Sequence, residues 1–148
     1  MAKFANRTGF SLIEVMVALV IVAITATYAV AAYRRYIVRS YRLDAIQGLL
    51  AAAAEQERFH LAHGRYSDRL NASSGDEPPG LLVPSITPHR RYELAVELAD
   101  AGAFRLVAAP LANGGQAGDT ECRRFSIDES GLRQARDSGG SDSTNRCW

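Results

Sequence analysis

At 148 residues the chain has room for one domain with an appendage, and its 17 Lys and Arg against 16 Asp and Glu leave a net charge of +1, too even a balance to suggest a basic nucleic-acid-binding field. The 47% apolar share is ordinary for a globular protein but is unevenly placed, because residues 15–33 form 19 consecutive positions without a charge. That run is long enough to cross a bilayer as a helix, which argues against a fully soluble cytoplasmic protein and against a free-standing small enzyme.

Residues 1–9 carry Lys3, the chain's one lysine, together with Arg7 and no acid. Positive charge ahead of an apolar span holds that end in the cytoplasm. Arg34, Arg35, Arg39 and Arg42 follow the span, however, so charge alone leaves the orientation open. The run is too long for the apolar part of a cleaved secretory signal. Glu14 is the ionisable group at its start. A carboxylate there either marks the headgroup zone or serves a function or a partner.

Past the span the helical pattern continues. Ile37, Tyr41, Ile46, Leu49, Leu50 and Ala53 fall near helical spacing, Ala51–Ala54 and Glu55–Arg58 are strong helix formers, and Gly64 is the first plausible stop. A helix over 10–62 is roughly 80 Å long at 1.5 Å per residue. Its first half is apolar all round and its second half amphipathic, so the second half has a face to pack on a head. Arg34, Arg35, Arg39 and Arg42, interleaved with Tyr33, Tyr36 and Tyr41, read as a phosphate-contacting patch or as charges that are solvated, paired with acids of a neighbour, or set among lipid phosphates. The second reading is preferred, and nucleic acid is not expected as a partner.

Residues 66–88 are a connector rich in Asn, Ser, Gly and Pro, with Leu81-Leu82-Val83 as a short apolar piece that can pack on the helix. Strand signals follow at Tyr92–Leu98, Phe104–Ala109, Arg123–Asp128 and, more weakly, Leu132–Ala135, with turns at Asp100–Ala103 and Glu129–Gly131. A long helix with an antiparallel meander is an α+β architecture. Cys122 and Cys147 are the only cysteines, and a pair in a small anchored domain reads as one disulfide in an oxidising compartment, placing 63–148 outside the cytoplasm. No CxxC or HExxH is present, and His60, His63 and His89 are not spaced as ligands or as a catalytic pair, so neither metal nor catalysis is expected.

Gly9-Phe10-Ser11-Leu12-Ile13-Glu14-Val15-Met16 resembles the processing signal of type IV prepilins and their pseudopilin relatives. The resemblance implies a cut after Gly9 by prepilin peptidase, methylation of the new Phe10 amino group, and a leader, 1–9, that stays cytoplasmic, which settles the orientation. Loss of Lys3 and Arg7 leaves a mature net charge of −1. It further implies that the Glu14 carboxylate neutralises the terminal amine of a neighbouring subunit. Two lone charges in an apolar fibre core would each cost several kcal/mol, whereas a close pair recovers much of that and fixes one stagger. Where many pilins carry a Gly and a Pro in the span, this chain has Ala23 and Ala31, so a continuous helix is expected.

The distal half adds its own likeness. Glu55-Gln56-Glu57-Arg58-Phe59 leading to Gly64-Arg65-Tyr66, then Phe104-x-Leu106-x-Ala108-x-Pro110, Gln116, Asp119, Cys122, Asp128-x-x-Gly131 and Cys147-Trp148, resembles PilE-like minor pilins of type IVa systems. The resemblance implies the pilin fold: a long N-terminal α-helix, 10–62, with 10–33 as transmembrane segment and filament core, and a small antiparallel sheet head, 63–148, with a C-terminal disulfide loop. It implies a structural subunit with no enzymatic activity and no cofactor, assembled into or priming pili for twitching motility, adhesion and sometimes DNA uptake. The implied partners are other pilin subunits, the peptidase, the assembly machinery of the inner membrane, and membrane lipid before assembly. A pseudopilin of a type II secretion system is the alternative, although such subunits often have calcium-binding acidic loops where this chain has Cys122 and Cys147. A simple signal-anchored protein with an extracytoplasmic binding head is the more remote one.

Overall fold

The computed structural model describes residue 9, residues 11–73, 75–76 and 79–148, and of Ala31 only the backbone. The leader's first eight residues and Phe10 lie outside the described residues, as do Ser74, Glu77 and Pro78 of the connector. One helix, α1 (Leu12–His63), runs 52 residues without interruption through Ala23 and Ala31. It starts two residues later and ends one residue later than the sequence pattern placed it. At its C-terminal end Gly64 takes a left-handed φ of +70° and donates its N–H to the His60 carbonyl at 2.8 Å. That conformation favours glycine and closes the last turn.

Two compact units divide the chain, Met1–Ile37 and Val38–Trp148. The second takes in the helical residues from Val38 on together with 63–148. Its helical core stripe is Arg42, Ala45, Leu49, Ala52, Gln56 and Phe59, all buried and spaced alternately three and four residues apart. The expected set of Ile37, Tyr41, Ile46, Leu49, Leu50 and Ala53 holds one member of this stripe, Leu49, with Ile46 and Ala53 packed beside it, and an apolar-only count passes over the two polar members, Arg42 and Gln56. Leu50 is instead 39% exposed.

Four strands follow: β1 (Tyr92–Ala99), β2 (Phe104–Pro110), β3 (Arg124–Asp128) and β4 (Arg133–Arg136), in the antiparallel order β1-β2-β3-β4. Leu94, Phe104, Leu106, Ala108, Phe125, Ile127 and Ala135 bury against Ala45, Leu49 and Ala52 in one core. Gly48 lets helix and sheet approach, since a Cβ there would meet the Leu94 methyl carbons at 3.2 and 3.3 Å. The connector folds on itself: Leu81 donates to the Arg69 carbonyl and accepts from Ala72 N–H, which sends Leu81 inward and leaves Leu82 exposed.

A short helix absent from the sequence expectation, α2 (Thr144–Cys147), ends the chain. The segment before and within it covers the outer edge of β4. Ser143 N–H donates to the Ala135 carbonyl, Ala135 N–H donates to Thr144 Oγ1, and the Trp148 indole N–H donates to the Gln134 carbonyl at 2.8 Å.

Candidate assembly site

Glu14 stands exposed in the first turn of α1, and Gly9 is exposed with open space around it. Beyond Glu14 the large apolar side chains Val15, Met16, Val17, Leu19, Val20, Ile21, Val22, Ile24 and Val30 are all at least 46% exposed. Among the described residues, nothing buries these side chains. The two threonine hydroxyls of the stretch are cared for internally: Thr25 Oγ1 donates to the Ile21 and Val22 carbonyls at 2.9 and 3.0 Å, and Thr27 Oγ1 to the Ile24 carbonyl at 2.7 Å. The segment therefore presents a largely apolar, uncharged surface with one carboxylate at its start. Such a surface can lie in lipid or pack against similar helices, and the charge at its start can select a register.

In the second unit, polar ties hold the loops to the helix. Arg42 is 5% exposed and forms a two-pronged pair with Asp119, Nε to Oδ2 at 2.7 Å and Nη2 to Oδ1 at 2.9 Å. Nη2 also reaches Glu121 at 3.0 Å. Burial pulls the Arg42 pKa down, but the bonds to Asp119 and Glu121 outweigh it and leave the pKa raised, so the guanidinium stays charged. Arg42 is thus not among the cations left to solvent, lipid or a neighbouring subunit. Arg34, Arg35 and Arg39 are exposed.

Gln116 Nε2 donates to the Val38 carbonyl and to the Tyr92 hydroxyl, each at 3.0 Å. Gln56 and Ser67 exchange two hydrogen bonds, from Gln56 Nε2 to the Ser67 carbonyl at 2.7 Å and from Ser67 N–H to Gln56 Oε1 at 2.9 Å. Asp44 pairs with Arg91 at 2.7 Å and His89 at 3.0 Å, and the Arg91 guanidinium lies 3.6 Å over the Tyr41 ring. The signal for Arg42 and Gln56 was present in the sequence as their three-and-four spacing with Ala45, Leu49, Ala52 and Phe59. An apolar-only count passes over it.

Cys122 and Cys147 are joined, with Cα atoms 5.8 Å apart. The bridge brings Asp119 and Glu121 near the chain's end, where the Arg146 carbonyl accepts from Arg42 Nη1 at 3.4 Å. His60 stacks on Tyr66 and its Nε2 faces the Ala101 carbonyl, while the His63 Nδ1 faces the Phe59 carbonyl. These are helix-end contacts. Among the described residues, no group of three or more His, Cys, Asp and Glu side chains is placed to hold a metal ion.

Residues 31–126, more than half of the chain, match the family described as "Type IV minor pilin ComP, DNA uptake sequence receptor". Residues 4–30 match the prokaryotic N-terminal methylation motif. Among solved structures, the chain is similar to the Neisseria meningitidis non-core minor pilin PilV, with 19% identity, a TM-score of 0.49, and coverage of 70% of this chain and 91% of that one. It is also similar to a type IV pilin from Shewanella oneidensis, with 23% identity, a TM-score of 0.43, and coverage of 65% and 89%.

Proposed function

Because the chain belongs to the ComP-type family of type IV minor pilins, we propose that it is cut after Gly9, methylated at Phe10, and built into a pilus or set at its priming end with Glu14 paired to a neighbour's terminal amine. Before assembly, residues 10–33 anchor it in the inner membrane and 63–148 lie in the periplasm. The carrying observation is the uncharged, largely apolar helical stretch from Val15 to Val30, which lies within the methylation-motif match and whose large side chains are exposed. In a filament, that surface is covered by the corresponding helices of other subunits. Prepilin peptidase, other pilins and the membrane assembly machinery are the partners this requires, and the chain acts as a structural part with no reaction to catalyse.

The family description favours one use over the others. A DNA uptake sequence receptor binds DNA, so DNA is proposed here as a ligand of the assembled subunit, against the even charge balance that argued for leaving nucleic acid out. Twitching and adhesion remain uses of the pilus as a whole.

Mass spectrometry of the membrane-extracted protein tests the processing: the expected chain starts at methylated Phe10, and a bulky residue in place of Gly9 leaves the leader attached. A mature mass unchanged by that substitution removes the reading. Glu14→Ala is expected to be cut and inserted yet depleted from sheared pili, and normal incorporation would show that the charge pair is dispensable.

A further inference from the structure

The described residues of the first unit, which ends at Ile37, hold one acid, Glu14, and two exposed arginines, Arg34 and Arg35. They stand at opposite ends of the uncharged stretch. From Glu14 to Arg34 the unbroken α1 rises roughly 30 Å at 1.5 Å per residue, the thickness of a bilayer's hydrocarbon core. The carboxylate is therefore far out of reach of either guanidinium. Among the described residues neither arginine has an ion-pair partner. Arg42, further along α1, shows the other outcome, since its guanidinium finds Asp119 and Glu121 within the chain. Positive charge at this flank also opposes the orientation that Lys3 and Arg7 favour, so a compensating anion is called for there.

Tyr33 and Tyr36 flank the two arginines and are 64% and 68% exposed. Successive helix positions turn by about 100°, so 33–36 ring most of the helix with Tyr, Arg, Arg and Tyr in turn. A tyrosine has an apolar ring and a polar tip, which suits the boundary between hydrocarbon and water. A guanidinium is a planar fork that bonds phosphate through two N–H groups at once. Directly after an uncharged span, this ring lies at the depth of lipid phosphates. A choline headgroup sets its own cation against its phosphate, whereas an anionic headgroup leaves that charge open to the arginines.

We propose that Tyr33, Arg34, Arg35 and Tyr36 form a collar that binds the phosphates of anionic phospholipids, in the leaflet at the far end of the span from Glu14. This rests on the reading of 10–33 as a membrane anchor. The collar fixes the depth at which the unassembled chain is held, and its lipids have to be given up when the subunit leaves the bilayer.

The test uses the full chain in vesicles of equal phosphatidylcholine and phosphatidylglycerol, extracted in mild detergent, with the retained lipids counted by native mass spectrometry. Phosphatidylglycerol is expected to be retained about tenfold over phosphatidylcholine, since each arginine near an anionic surface contributes about fivefold. Arg34→Gln with Arg35→Gln is expected to remove most of that preference, and Arg34→Lys with Arg35→Lys to keep most of it. Lys3 and Arg7 stay in every variant, so the change is read at the collar. Excess inorganic phosphate is expected to leave the ratio unchanged. A ratio that the glutamine pair does not lower overturns the proposal, and so does a lysine pair that lowers it equally. Displacement by inorganic phosphate assigns the site to the free ion and overturns it too. If alkaline carbonate strips the unsubstituted chain from the vesicles, the anchor reading itself falls, and this proposal with it. A chain that resists carbonate yet shows no lipid preference overturns the proposal alone.

Discussion

Leu19 and Leu49 occupy the same helix, yet Leu19 is 63% exposed and Leu49 is fully buried. The difference comes from what the rest of the chain offers each of them. Around Leu49 the sequence supplies Leu94, Phe104, Phe125 and a glycine that admits the sheet, so burial is completed within one molecule. Around Leu19 the described residues supply only more helix of the same kind. An apolar surface of that size has to be covered by lipid or by other proteins. Internal closure is spent on the second unit, and the first is left as an unfilled valence.

Substitutions that remove closure from the second unit sharpen this contrast most. Asp119→Ala leaves the Arg42 guanidinium buried without its two-pronged partner, and breaking a buried pair in that way costs about 3–5 kcal/mol. A urea melt of the detergent-solubilised protein, followed by Trp148 fluorescence, is expected to show that loss. Cys122→Ser comes next: the bridge spans a separation of 25 residues, for which chain entropy gives about 3–4 kcal/mol. Quantitative thiol labelling of both cysteines in unreduced native protein would show that the bridge is absent.

The comparison itself is broken or upheld by a matched pair. Leu49→Ala is expected to cost about 3 kcal/mol in the same melt. Leu19→Ala is expected to leave that melt unchanged while lowering recovery in sheared pili. Equal melts for the two variants would mean that the units do not divide the work in this way.

The smallest effect is at the β1–β2 turn. Bonds from Gly102 and Ala103 N–H hold the Asp100 carboxyl below the usual carboxylate range. With the folded pKa lowered, the contribution is present above the unfolded value of about 3.9 and is lost as pH falls through the folded one. Melts of Asp100→Asn and the unsubstituted protein are therefore expected to differ slightly near neutral pH and to converge in acid.

Much of this was legible in the sequence, and for identifiable reasons. Alternation over Tyr92–Leu98 and the turn residues Asp100–Ala103 give β1 and its hairpin to within a residue, because strand faces repeat every two positions. Alanines at 23 and 31 predict the unbroken helix. The Arg42–Asp119 pair was not legible, because its partners are 77 residues apart and the helical spacing that puts Arg42 on the buried face does not say which acid meets it there. Seen from the sequence, Arg42 belonged with Arg34, Arg35 and Arg39, all in a row of tyrosines. Helical α2 escaped notice because Thr144–Cys147 is one turn of residues that favour loops, held by Trp148 and by the edge of β4.

That covered edge has a consequence for crowding. An outermost strand with free N–H and C=O groups is a template on which another chain can add a strand, and the hazard grows where many identical sheets are held side by side. Here the tail from Ser143 to Trp148 takes the Ala135 and Gln134 positions on β4, and the cystine fastens the tail in place. The last six residues therefore act as a selvedge along β4, occupying backbone groups of Ala135 and Gln134 on which another chain could otherwise add a strand.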